Sequence, residues 1–209
     1  MSFQLIAITN RMLVVEPLPE RIANLCAAGI DRVIVREKDL SESEYGALLH
    51  EALKKVEAAT PGKRALITVN TFARVAQDAG ITSVQLPLSE LRSHPHLVHE
   101  FTTVGTSIHG KDEALLAEEL GADYLIAGHI FPTNCKAGIA PRGLDFLHEI
   151  CEVTNIPVYA IGGINEDTIA LVKEAGAAGA CLMSELMICD KVATTVKQLR
   201  NRVDGTACR

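Results

Sequence analysis

Ile156-Pro157-Val158-Tyr159-Ala160-Ile161 is an apolar run that stops at Gly162-Gly163, and a second run, residues 177–183, stops at Ser184. Both have the composition of a strand covered on two faces, and each leads into a stretch with helical spacing. The glycines and the serine leave backbone N–H groups accessible at the strand ends. In a (β/α)₈ barrel, the loops after strands 7 and 8 and a short helix N-terminus form the usual phosphate site. The pair therefore predicts a fold and a substrate that carries a phosphate. Tight turns needed only for chain reversal are the simpler reading, and the order of the two loops favours the phosphate.

Further upstream, the same alternation recurs. Apolar runs at Leu5–Ile8, Val33–Val35, Ala65–Val69, Ser83–Leu86, Thr103–Thr106 and Tyr124–Ala127 precede those at Val158–Ile161 and Ala180–Met183, giving eight candidate strands. Between them lie stretches with apolar residues three and four apart: Pro19–Ala28, Glu42–Ala58, Glu113–Leu120, Leu144–Val153 and Asp167–Ala175. Gly29, Gly80, Gly121 and Gly176 stand where helices end, and a repeated phrase such as Ala28-Gly29-Ile30-Asp31 leads into the next strand. Eight strands separated by helices predict an α/β fold, a single (β/α)₈ TIM barrel spanning residues 1–209. The least regular part is His94-Pro95-His96-Leu97-Val98-His99.

Composition narrows the function. The 209 residues suffice for one well-packed domain, and 48% hydrophobic content supports a large core. Aromatic content of 4%, no Trp and a net charge of −6 argue against nucleic acid as a partner. There is no long apolar run and no leader pattern at Met1-Ser2-Phe3-Gln4, so no membrane partner and a cytoplasmic location are expected. Six cysteines without a CxxC pair read as reduced thiols, not as a disulfide frame or a zinc site.

Chemistry in a barrel sits just past the strands. There the sequence offers Thr9, Asn10 and Arg11; Arg36, Glu37 and Lys38; Asn70; Gln85; Ser107 and His109; His129, Thr133, Cys135 and Lys136; and Gly162, Gly163 and Ser184. Cations outnumber acids in this set, which suits a small, multiply anionic ligand, and Arg36 can fork a carboxylate or phosphate. His129 follows a strand and Gly128, where an imidazole can move a proton near neutral pH; ordering a neighbouring loop is the equal alternative. His109 reads as a loop-ordering residue. Lys136 is a candidate anion ligand and Cys135 a packing residue. His94, His96 and His99 lack a close carboxylate or cysteine to complete a metal set, so a solvated loop is expected there.

Gly105-Thr106-Ser107-Ile108-His109, Gly121-Ala122-Asp123-Tyr124 with Gly128 through Lys136, and Pro157 through Ile164 resemble the motifs of the thiamine phosphate synthase superfamily. The resemblance runs from Ile6 to Ser184. It implies one of two branches: a synthase, which joins a pyrimidine diphosphate to a thiazole phosphate and requires Mg²⁺, or a TenI-type thiazole tautomerase, which aromatises a carboxythiazole phosphate without metal. The chain departs from the synthase pattern. Ile34 replaces a Gln, Thr71 and Phe72 replace an Asp and an Arg, Gln85-Leu86-Pro87-Leu88 replaces His-Leu-Gly-Gln, Gly128-His129 replaces Gly-Pro, and Cys135 replaces a Thr. The lost Asp is a magnesium ligand in that family, and only Glu90 stands near the second acid.

These departures are similar to the tautomerase branch. That resemblance implies an isomerase of thiamine biosynthesis needing no metal and no cofactor. His129 would carry the proton. Gly162, Gly163 and Ser184 would hold the phosphate, Arg36 would hold the substrate carboxylate, and Lys38, Asn70, Ser107 and Lys136 would line the pocket of a phosphorylated thiazole. A divergent Mg²⁺-dependent synthase and a non-catalytic phosphate-binding relative are the alternatives. Barrels of this family are often dimers, which leaves a homodimer open.

Overall fold

The computed structural model of the chain describes residues 2–133 and 138–205. Eight parallel strands close into a barrel: β1 (Gln4–Ile8), β2 (Arg32–Val35), β3 (Ile67–Asn70), β4 (Ser83–Pro87), β5 (Thr103–Ile108), β6 (Tyr124–Gly128), β7 (Val158–Ile161) and β8 (Gly179–Leu182). Ile6 pairs with Arg32 on one side and Cys181 on the other, so β1 joins β2 to β8 and no sheet edge is left. The helices are α1 (Leu18–Ala27), α2 (Glu42–Ala59), α3 (Ala73–Asp78), α4 (Leu88–Ser93), α5 (Leu97–Glu100), α6 (Lys111–Glu119), α7 (Gly143–Val153), α8 (Ile169–Glu174), α9 (Ser184–Ile188) and α10 (Val192–Asp204). The expected single-domain (β/α)₈ barrel is the fold observed.

Strand periodicity sorts the core into two compartments. Outward residues such as Leu5, Val33, Val35, Val69, Val104 and Leu125 pack against the helices in one continuous cluster. Inward residues Ile6, Ile8, Ile34, Tyr124, Ile126, Tyr159 and Cys181 fill the barrel. The helix-ending glycines at 29, 80, 121 and 176 have φ between 66° and 96°, the left-handed turn that the sequence pattern predicts. The aspartates of the repeated phrase are explained as well. Asp31 accepts the N–H of Leu5 and Asp123 that of Val104, both at 2.7 Å, so each anchors the start of a neighbouring strand.

Two local expectations change. The third strand begins at Ile67 rather than Ala65, because a 3₁₀ turn over Lys63–Leu66 takes up those backbone groups, with the Lys63 N–H donating to Thr60 O at 3.1 Å. The irregular His94–His99 segment contains the start of α5 and follows α4, with the His94 and His99 N–H groups donating to Glu90 and His96 carbonyls at 2.9 Å. Among the described residues no helix is long and apolar enough to cross a membrane.

Candidate active site

A cavity of about 1710 Å³ opens at the C-terminal mouth of the barrel. Strand register explains its lining. Ile34 points inward, so Arg36 two residues later points the same way, and the same alternation brings Asn70, Gln85, Ser107, Gly128 and Ile161 to the mouth. Arg36, Lys38, Asn70, Ser107, His129, Gly162, Gly163 and Ser184, all expected at the site, line this cavity. Lys136 and Cys135 lie outside the described residues.

The β1 and β2 ends are tied together by a buried carboxylate. Glu37 accepts the Thr9 hydroxyl at 2.7 Å and the Arg11 N–H at 3.1 Å, while the Arg11 guanidinium bridges Glu37 at 3.2 Å and Asp39 at 2.6 Å. The Arg36 N–H donates to Thr9 Oγ1 at 2.8 Å, which fixes the backbone from which Arg36 projects. Glu37 is therefore consumed by structure and faces away from ligand chemistry. Lys38, beside Arg36, has its pKa lowered, first by burial and then by the neighbouring guanidinium.

On the floor, Asn70 Nδ2 donates to Gln85 O at 3.0 Å and Gln85 Nε2 donates to Ser107 Oγ at 3.1 Å. Gln85 Oε1 is buried without a hydrogen-bond partner among the described residues. Thr71, where the synthase pattern has an acid, holds a left-handed φ of 70°, rare for a β-branched residue, and its N–H donates to Gln85 O at 3.0 Å. His129 is 4% exposed, and its Nε2 lies 3.3 Å from Ile139 O. Its backbone carbonyl accepts from Arg142 N–H at 2.9 Å, so the residue also closes its own loop. Gly162 backs directly onto it: a Cβ there would stand 2.3 Å from His129 Cβ.

A magnesium site of the synthase type needs hard carboxylates facing the ligand. Thr71 and Phe72 supply none, and Glu90 pairs with His94 at 3.1 Å and does not line the cavity. The acids that do line it are Glu113 and Glu185. Glu113 accepts the backbone N–H of His109 at 2.6 Å. Glu185 sits beyond β8, three strands from β5, and its pKa is raised by burial and by Glu166 and Asp167. Among the described residues no three His, Cys, Asp or Glu side chains converge as metal ligands. The donor set does not fit the metal. His96 lies 3.7 Å from Glu100, so the histidine-rich segment makes local contacts with neighbouring acids.

Sequence reasoning missed Arg92, which reaches the cavity from the end of α4. No strand-end signal marks it, because α4 starts directly at the end of β4 and carries the side chain back over the mouth.

The model of the TMP-TENI family, described as thiamine monophosphate synthase, matches residues 5–186. The chain belongs to this family. A thiamine-phosphate synthase of Pyrococcus abyssi is 32% identical over 209 residues, covering 97% of this chain and 96% of the relative. One from Shouchella clausii is 36% identical, covering 88% of each chain. The solved structure of a thiamine phosphate pyrophosphorylase from Pyrococcus furiosus superposes with a TM-score of 0.80 at 29% identity, covering 99% of this chain and 98% of the other. These TMP-TENI relatives overturn the tautomerase expectation: proteins similar over nearly the whole chain bear the synthase name. The expectation rested on a few mouth substitutions, and the loss of an acid changes how charge is balanced without specifying which bond is made. The isomerase assignment falls with it.

Proposed function

We propose that the chain is a transferase of the thiamine-phosphate synthase type, joining a pyrimidine diphosphate to a thiazole phosphate and releasing diphosphate. The observation that carries this reading is a cavity with anion-binding groups at both sides. Gly162, Gly163 and Ser184 lie at the β7–β8 side, and Arg36 and Lys38 lie on the β2 side. Its volume of about 1710 Å³ exceeds the range of roughly 300–1,000 Å³ usual for one small ligand, which favours two substrates held together. The names of the relatives support the same reaction.

In this reading the β7 and β8 loops anchor the thiazole phosphate by backbone N–H groups, and Arg36 and Lys38 neutralise the diphosphate. The Asn70–Gln85–Ser107 chain forms a polar floor between them. Holding both partners in one cavity replaces a bimolecular encounter by an oriented one, the usual source of rate in such condensations. His129 packs the β6 loop against Gly162 and shapes the wall between the two subsites. The purified chain is to be incubated with both substrates, with thiamine phosphate and released diphosphate measured. Formation of both in equal amounts is expected. Absence of product with both substrates bound would overturn the proposal and leave a phosphate-binding relative, which the replacement of the acid by Thr71 favours.

A further inference from the structure

Arg21 on α1 is the one buried Lys or Arg among the described residues, at 3% exposure. Two segments far apart in the chain share its guanidinium. On one edge Glu16, in the loop before α1, pairs with Nε at 2.7 Å and accepts Nη2 at 3.0 Å. On the other, Nη1 donates to Leu186 O at 3.2 Å and to Cys189 O at 2.8 Å, 165 and 168 residues further on. These carbonyls stand at the end of α9, where a helix supplies no partners of its own. With five residues α9 is too short to hold its shape alone. Leu186 and Met187 are buried and set its depth against the barrel. Apolar packing has no direction, whereas hydrogen bonds do, so the Arg21 bonds fix how α9 is turned and how far it sits along its axis. The same short segment brings Ser184 and Glu185, with Met183 before them, into the cavity lining. Stability alone is a weak reason for a buried ion pair, since apolar residues of similar volume often serve as well or better. The orientation that its bonds impose is the stronger one.

We infer that Arg21 is a positioning residue for the phosphate end of the cavity: held by Glu16, it sets where the backbone at Ser184 and Glu185 stands. Arg21 does not line the cavity and meets no substrate. It acts across the seam where β1 pairs with β8, from the helix after one strand to the segment after the other. The inference deepens the proposed transferase reading and rests on it for the group bound at this end. Its effect is confined to one substrate. The backbone that carries Arg36 is tied separately, through Thr9 and Glu37, and does not depend on α9.

The test is titration calorimetry of the thiazole phosphate and, separately, of the pyrimidine diphosphate into the full chain, its Arg21→Met variant and its Arg21→Lys variant. Met fills a similar volume without donors, and Lys keeps the charge but not the planar fork that joins two segments. Thiazole phosphate binding should weaken roughly tenfold in Arg21→Met, in line with one oriented hydrogen bond lost at the phosphate, and by a smaller factor in Arg21→Lys. Pyrimidine diphosphate affinity should stay at the parent value in both. A purely structural role would instead lower the binding stoichiometry for both substrates at parental affinity, and that result overturns the inference. Parental thiazole phosphate affinity in Arg21→Met, or equal weakening of the two substrates, overturns it as well. If Arg21→Met does not fold, Arg21→Lys decides between the same outcomes. The coupling assay fails independently. Binding that follows the expected pattern without product removes the transferase and keeps the positioning role. Product formation with unaltered affinities in the variants does the reverse.

Discussion

Replacing Gly105 by Ala should destabilise the barrel out of proportion to one methyl group. Gly105 lies in β5, in register with Gln85 on β4 and Tyr124 on β6. A Cβ there would stand 2.0 Å from Tyr124 Cζ, 2.2 Å from Cε2 and 2.4 Å from Gln85 Oε1. The Tyr124 ring cannot retreat freely. It is 2% exposed, packs on Tyr159 at a centroid distance of 5.2 Å and lies under the Arg32 guanidinium at 4.7 Å. Overpacking of this kind costs about 1–3 kcal/mol. Moving Gln85 also strains its bond to Ser107, worth about 1 kcal/mol. The sum, about 2–4 kcal/mol, corresponds to a fall in Tm of roughly 5–15 °C for a chain of this size. Scanning calorimetry or urea unfolding reads it directly. The control is Tyr124→Leu with and without Gly105→Ala. If the ring is the obstacle, the second change costs much less once the ring is gone. A Gly105→Ala protein melting within about 2 °C of the parent, or costs that simply add, would refute this account of the barrel floor.

Other perturbations test the loops around the mouth. Glu37→Gln places an amide N–H₂ against the Arg11 donors and should cost about 1–3 kcal/mol, read as a lower urea midpoint; an unchanged midpoint would show that the Thr9–Glu37–Arg11 tie is dispensable. Glu185 has a raised pKa, so the folded chain binds its proton more tightly than the unfolded chain. Its contribution to stability is therefore fully present below the ordinary carboxylate value and is lost as pH rises through the raised one. Glu185→Gln should match the parent Tm near pH 4 and exceed it at pH 8, and parallel curves across that range would contradict the assignment.

The mouth also shows why local substitutions misled the choice of reaction. Gln85 and His129 differ from the synthase pattern at positions that line the cavity, whereas Thr71 and Phe72 differ just outside its lining, and the tautomerase reading treated their sum as a change of chemistry. Yet charge at an active site is balanced by whichever groups reach it. Arg92 reaches it from a helix surface, a place from which sequence spacing gives no direction. The similarity of the chain to synthases over almost its full length reports on the whole scaffold, against which four or five mouth residues are a small part.

Alternating apolar runs, glycine helix ends and the order of the Gly162-Gly163 and Ser184 loops were enough to determine the barrel, because strand and helix periods are local properties of the chain. They also placed Arg36, Asn70, Ser107 and His129 at the mouth, since a strand's parity decides which residues point inward. Tertiary structure alone decided which charges are spent. Glu37 is buried under Thr9 and Arg11, and Arg36, Lys38 and Arg92 are left facing one cavity. Pairing depends on distances between segments far apart in the chain, which barrel closure sets and no spacing rule contains.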